Sequence, residues 1–372
     1  MPILRPLPER LLLGPGPSNA HPSVLEAMGR PLVGHLDPEF IALLDRLKAG
    51  LRTLFGTSNA MTLPLSATGS AGMEAALVNL LEPGDTVVVG VNGVFGGRMA
   101  EVARRAGAVV TTVEATWGTI LDATEMADAI SFVRPRVVAF VHAETSTGVC
   151  QPVEAIAQAA KQVDAMLILD CVTSLAGRPV ELDTWGIDAA YSGSQKCLSC
   201  SPGMSPVSFS DRAIEHIQKR KTPVQSWFLD LSLLAGYYAG AKRTYHHTAP
   251  ITATYGLAAG VDRVLEEGLE ARFERHRSAA KRLIEGLEPM GFECLVRAED
   301  RLPMLTSVRL PERVGTLGEA AVRTRLLDDF GIEVGGGLGP LAGEIWRIGL
   351  MGENARPEPV DRLLEALHEI LD

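Results

Sequence analysis

Apolar residues along this chain follow two different periods. From about residue 62 to residue 209, short β-branched runs alternate with stretches whose apolar residues recur at helical spacing. That alternation predicts βαβ units and a mostly parallel sheet. Candidate strands cover 86–89, 109–113, 137–141, 166–169 and 206–209, each followed by turn residues. Between them, 73–81, 97–106 and 153–163 read as helices, and Pro83-Gly84-Asp85 stops the first of these.

Near Ala249 the character changes to long helical stretches, 252–267 and 269–290, and the remaining strands become fewer. A second unit is expected to begin at Leu269. It reads as helix, strands at 292–296 and 305–310, helix 319–330, strand 345–348 and helix 357–371, a small α+β arrangement. The start of the chain carries Pro2, Pro6, Pro8, Pro15, Pro17 and Pro22, which argues against helix and for an extended course over another surface. The expected organisation is an extended arm over 1–15, a large α/β domain over 16–268 and a small domain over 269–372. A chain of 372 residues is long for one core, which fits that division.

Composition narrows the function classes. Hydrophobic residues at 46% and charged residues at 22% predict a folded globular chain rather than a disordered one. A formal net charge of −10 argues against nucleic-acid and anionic-membrane partners, so any anion must be held by local groups. No long apolar run and no signal-peptide pattern occur, so a cytoplasmic location is expected. The five cysteines, an odd number scattered along the chain, read as reduced thiols. Cys197 and Cys200 form a C-x-x-C, yet a metal site needs two further ligands and a redox motif should open a helix.

Three stretches carry candidate chemistry. In Tyr191-Ser192-Gly193-Ser194-Gln195-Lys196 a lysine follows a strand end and a small-residue turn in an apolar region. Partial desolvation lowers proton affinity and makes such an amine a nucleophile toward an aldehyde, although a structural ion pair fits the same pattern. Leu167-Ile168-Leu169-Asp170 puts an aspartate at the C-terminal end of a buried strand, where open α/β sheets bind ligands. An unpaired carboxylate there is costly; a protonated ring nitrogen would compensate it, as would a helix cap or an ion pair. Ser66-Ala67-Thr68-Gly69-Ser70-Ala71-Gly72 lies between a strand and a helix, where backbone N–H groups can approach a phosphate; an ordinary tight turn reads the same way.

Taken together, these stretches resemble the class V, fold type I aminotransferases dependent on pyridoxal 5'-phosphate (PLP), and within them the alanine-glyoxylate and serine-glyoxylate enzymes. The likeness spans nearly the whole chain. It runs through Leu13-Gly14-Pro15-Gly16-Pro17-Ser18-Asn19, Glu82-Pro83-Gly84-Asp85 and Glu144-Thr145-Ser146-Thr147-Gly148. It continues through the Tyr191 to Lys196 stretch, Tyr245-His246-His247-Thr248, Gly335-Gly336-Gly337-Leu338-Gly339 and Trp346-Arg347-Ile348-Gly349.

The resemblance implies that Lys196 carries the cofactor as a Schiff base and shuttles the proton, with Asp170 paired to the pyridine nitrogen. It implies that Thr68, Gly69, Ser70 and Gln195 hold the phosphate, joined by Tyr245 and Thr248 of a partner subunit in a homodimer. Phe95 stands where the animal enzymes have a stacking tryptophan, and a phenyl face can also stack. Val172 would pack on the opposite ring face, and Thr145, where serine is usual, would meet the cofactor or substrate. Arg347 matches the arginine that grips the substrate carboxylate, with Gly16 and Thr145 beside the substrate.

The reaction so implied is ping-pong transfer of an amino group from alanine or serine to glyoxylate or pyruvate. Related transaminases that use pyridoxamine or 2-aminoethylphosphonate as donor are the nearest rivals. Cysteine desulfuration on the same fold would need a thiol on a mobile loop, and Cys294 lacks such a loop in sequence. A regulatory PLP binder or a nucleotide-binding domain would leave Lys196, Asp170 and Arg347 without a joint role. His142 reads as a supporting histidine. His246 and His247, if on a strand, point to opposite faces and lack a third ligand, so no metal is expected.

Overall fold

The computed structural model describes residues 3, 6–239 and 243–372; Met1, Pro2, Leu4 and Arg5 of the expected arm lie outside the described residues. The chain enters through a short strand, β1 (Leu11–Leu13). A first sheet then forms from β2 (Met61–Leu65), β3 (Thr86–Val91), β4 (Val109–Glu114) and β5 (Val137–Val141). A two-stranded ribbon, β6 (Ala143–Glu144) and β7 (Val149–Cys150), leaves its edge before β8 (Met166–Asp170), β9 (Ala189–Tyr191) and β10 (Ser205–Phe209) complete it.

The seven strands lie in the order β2-β10-β9-β8-β5-β3-β4. Pairings from β9 through β4 are parallel, and β10 is antiparallel to both β9 and β2. Every residue of β5 and β8 is buried, as expected of parallel strands covered on both faces. Alternation sorts them: Val138, Phe140, Leu167 and Leu169 join one apolar cluster, while Val137, Ala139, Val141 and Ile168 join the other. The α/β class with a mostly parallel sheet is therefore the observed architecture.

A second sheet contains β11 (Glu293–Cys294), β12 (Leu305–Arg309), β13 (Ile332–Gly336) and β14 (Ile345–Gly349) in the order β1-β13-β14-β12-β11. The segment near the N-terminus thus closes the far sheet by pairing in parallel with β13. Helices Leu269–Leu287 and Pro357–Leu371 cover it, with Trp346, Leu283, Leu363 and Leu367 in its core. Gly268, with φ of 81°, separates Leu269–Leu287 from the preceding helix Ile251–Glu267.

Several boundaries differ from the periodicity reading. The helix expected at 73–81 is Gly69–Leu80, and that expected at 97–106 is Val94–Arg105. Both start earlier because glycine, serine and alanine in a first turn carry no apolar period, yet tolerate helical geometry when the sheet fixes the entry. Pro22 is not in extended chain: it opens the helix Pro22–Met28, where a missing N–H is harmless.

Candidate active site

The C-terminal ends of β5, β8 and β9 converge on one cavity of about 150 Å³, with Val141, Asp170 and Tyr191 among its lining residues. Gly69 and Ser70, from the start of helix Gly69–Leu80, line it too, as do Phe95, Thr145, Val172, Gln195 and Lys196. Sheet geometry accounts for this gathering, because parallel strands direct all their following loops to one edge. Thr68 is the N-cap of Gly69–Leu80 and is exposed; it makes no side-chain capping bond, and while the Ala71 and Gly72 N–H groups donate to its carbonyl, those of Gly69 and Ser70 stay available to an anion. The Oε1 of Gln195 is buried and has no hydrogen-bond partner among the described residues.

Asp170 is 2% exposed. Its Oδ1 accepts from the Val172 N–H at 2.8 Å and its Oδ2 from the Tyr191 hydroxyl at 2.8 Å. Burial nevertheless pushes its carboxyl up to about 7, against the lowering effect of those two bonds. Asp170 and Tyr191 are direct partners in the β8–β9 register, so their side chains share a sheet face. The pairing was not readable in the chain, where Tyr191 figured only as part of a motif.

Lys196 is 8% exposed and its amine donates to the carbonyl of Pro15. Burial lowers its pKa to about 8, so the neutral, nucleophilic amine is accessible near neutral pH. The N-terminal segment is fastened there by Ser18, whose N–H donates to the Gln195 carbonyl at 2.9 Å and whose hydroxyl donates to the Lys196 carbonyl at 2.8 Å. Gly16, at φ of 107°, lies so close that a Cβ there would stand 2.6 Å from Lys196 Nζ and 2.8 Å from its Cδ. Gly16→Ala is expected to displace the lysine and to strain the backbone. We expect kcat to fall by about 10²-fold with little change in secondary structure, as measured by steady-state kinetics beside circular dichroism. Unchanged kcat would show that the lysine tolerates displacement.

Arg347 lies in β14, opposite Gly335 of β13 and Ser307 of β12. It is 7% exposed. Its Nε donates to the Gly336 carbonyl at 2.8 Å and its Nη1 to the Thr145 carbonyl at 3.2 Å. It forms no ion pair among the described residues. A buried guanidinium held by carbonyls alone retains capacity for a carboxylate.

Glu144 has a structural task that its sequence motif did not announce. It is fully buried; its Oε1 accepts from the Ser146 N–H at 3.0 Å and hydroxyl at 2.6 Å. Its Oε2 accepts from the N–H groups of Phe95 at 3.1 Å and Gly96 at 3.3 Å. The carboxylate therefore caps helix Val94–Arg105 and fixes the backbone that carries Phe95, complementing the positive end of the helix dipole. The ribbon β6–β7 thereby sets Phe95 and Thr145 relative to each other.

Other expected residues fall elsewhere. Tyr245 is 63% exposed and Thr248 is exposed, and neither lines this cavity in its own chain. His142 is buried edge-on against Trp185 with its Nδ1 unpartnered, and burial holds its pKa well below the usual range, so it sits neutral behind the site. His246 and His247 do not point apart: their Nδ1 atoms are 2.8 Å from each other, because the segment is not a strand and alternation does not apply. The thiols of Cys197 and Cys200 donate to backbone carbonyls of Thr173, Leu198 and Gly256, and burial raises them to about 11 and about 12. Cys294 lies in β11, away from the cavity lining. Arg243 pairs with Asp45 at 2.6 Å, and Arg98 is among the residues that line the cavity.

A family model described as aminotransferase class-V matches residues 11–341. An alanine-glyoxylate aminotransferase of Drosophila melanogaster is 41% identical over 377 aligned residues, covering 99% of this chain and 94% of that protein. An (S)-ureidoglycine-glyoxylate transaminase of Bacillus subtilis strain 168 is 40% identical, covering 98% of this chain and 91% of that protein. Among solved structures, an alanine-glyoxylate aminotransferase from Nostoc sp. superimposes with a TM-score of 0.97 at 49% identity, covering 100% of this chain and 97% of that one. With a family match running from β1 to beyond β13 and relatives alike over nearly their full length, this chain belongs to the class-V aminotransferases.

Proposed function

We propose that this protein is a PLP-dependent aminotransferase that moves an amino group from alanine or serine to glyoxylate or pyruvate by a ping-pong mechanism. The observation that carries the reading is the convergence of a buried Lys196 and a buried Asp170 on one cavity at the sheet's C-terminal edge. The names of the relatives support a small amino donor and glyoxylate as acceptor.

The donor set fits PLP. The uncapped start of Gly69–Leu80 suits a phosphate cup, and Gln195, which lines the same cavity, can offer the anion its amide N–H₂. Asp170, Phe95 and Val172 suit a ring whose nitrogen faces the carboxylate and whose faces meet a phenyl group and an aliphatic group. Bound PLP supplies an electron sink for the charge left when the substrate Cα loses its proton.

The chain's own residues do the rest. Lys196 Nζ would hold the cofactor covalently and, once displaced by the incoming amine, would take the proton from the substrate Cα and deliver it to the cofactor's C4' carbon. Asp170 favours the protonated ring nitrogen. Arg347 binds the substrate α-carboxylate, with Thr145 and Gly16 shaping the space beside it. Thr68, Gly69, Ser70 and Gln195 hold the phosphate. Tyr245 and Thr248, exposed in their own chain, would complete the partner subunit's phosphate cup in a homodimer. The same reading divides the chain into an arm over 1–15, a large domain over 16–268 and a small domain over 269–372, with Gly268 at the joint. Among the described residues no helix is long and apolar enough to cross a membrane, and we assign the protein to the cytoplasm.

The test is single-turnover spectroscopy of the purified, PLP-reconstituted protein. Alanine or serine is expected to bleach the cofactor's visible band, and glyoxylate or pyruvate to restore it. In Arg347→Ala the amount of alanine needed should rise by about 10²-fold, the loss of one charge-assisted bidentate contact, while any response to pyridoxamine stays unchanged. A response to pyridoxamine or 2-aminoethylphosphonate alone would reassign the donor. Absence of a cofactor band after reconstitution would overturn the reading.

A further inference from the structure

Arg98 sits in the second turn of helix Val94–Arg105, one turn after Phe95. Its guanidinium carbon lies 4.9 Å from the centroid of the Phe95 ring, and its Nη1 donates to the Ser70 hydroxyl at 3.3 Å. It lines the same cavity as Lys196, and these two are the only cations among the described residues that line it. Lys196 is committed to the Pro15 carbonyl. Arg98, in contrast, has no ion pair among the described residues. In a chain of net charge −10 such an uncommitted cation beside a helix N-terminus calls for an anion.

Resting on the reading of this cavity as a PLP site, we propose that Arg98 is a phosphate-binding residue that supplies the cofactor's phosphate with a full positive charge from within the same subunit. The backbone N–H groups of Gly69 and Ser70 offer only partial charges, and hydroxyls and amides offer none, so a dianion there would otherwise be undercompensated. The Phe95 ring holds the guanidinium over its face, and the Ser70 hydroxyl directs one N–H toward the start of Gly69–Leu80. Phe95 thereby has two neighbours to serve: the cofactor ring and the arginine that neutralises its phosphate. Glu144 controls both through its cap on their common helix.

The phosphate itself provides the discriminating probe. Full-length protein stripped of cofactor would be titrated with PLP and with pyridoxal, which lacks the phosphate, for the wild type, Arg98→Gln and Arg98→Lys. The Kd for PLP is expected to rise about tenfold in Arg98→Gln, with the pyridoxal Kd unchanged and Arg98→Lys near wild type. Because Arg98 is exposed, the PLP difference should shrink as salt is raised. An unchanged PLP Kd in Arg98→Gln, or equal weakening of PLP and pyridoxal, would overturn the proposal while leaving the cofactor reading intact. Failure of the wild type to bind PLP would overturn both.

Discussion

Replacing Lys196 by Ala is expected to lower kcat/KM by on the order of 10⁴-fold, because one amine serves as cofactor anchor and as proton carrier. The lysine's surroundings prepare it for both tasks. At 8% exposure, with its pKa brought down to about 8 by burial, Lys196 can exist as a neutral amine under ordinary assay conditions. Among the described residues no other lysine lines the cavity. Lys196→Arg should be equally inactive, since a guanidinium stays protonated and offers no nucleophilic nitrogen. Both variants should still bind PLP through the phosphate cup. Single-turnover kinetics with alanine decide the matter, and activity within tenfold of wild type would remove Lys196 from the chemistry.

Asp170→Asn should lower kcat by about 10²- to 10³-fold, the scale seen when one aligned electrostatic contact to a reacting system is lost. An amide cannot favour a protonated ring nitrogen as a carboxylate does. The same substitution has an opposite effect on the stability of the cofactor-stripped protein. Burial raises the folded-state pKa of Asp170 from 3.8 to about 7, so between those values the folded chain binds a proton that the unfolded chain has lost. The contribution of Asp170 is therefore fully favourable below pH 3.8 and is lost as pH rises through about 7. Its size is on the order of 4 kcal/mol. Asp170→Asn removes that dependence, and thermal melts should show the variant gaining on wild type as pH rises toward 7. A constant difference in melting temperature across that range would contradict the assigned shift.

Legibility from the chain varied with the distance over which each feature is specified. Strands β3, β5 and β8 were readable because each is a short apolar run bounded by turn residues, and helices Glu319–Phe330 and Pro357–Leu371 were readable to the residue from their period. β13 escaped notice because Gly335 and Gly336 have low strand propensity; pairing with β14 holds them in place. β1 escaped for a similar reason, since three leucines declare nothing until β13 lies alongside.

The candidate site divides in the same way. Lys196, Asp170 and the Thr68 to Ser70 turn stand next to strand or helix ends that their own neighbours in sequence define, so local pattern sufficed to single them out. The contacts of Gly16 with Lys196, of Glu144 with the Phe95 backbone, of Arg98 with Ser70 and of Arg347 with the Thr145 carbonyl join segments far apart in the chain. Strand order and register set those distances, and both depend on how whole faces pack. The amino-acid sequence by itself determined the α/β alternation and the residues capable of the chemistry, because burial period and turn chemistry act over a few positions. Only the tertiary structure decided which of those residues meet, because the energy of their meeting is shared across all three apolar cores.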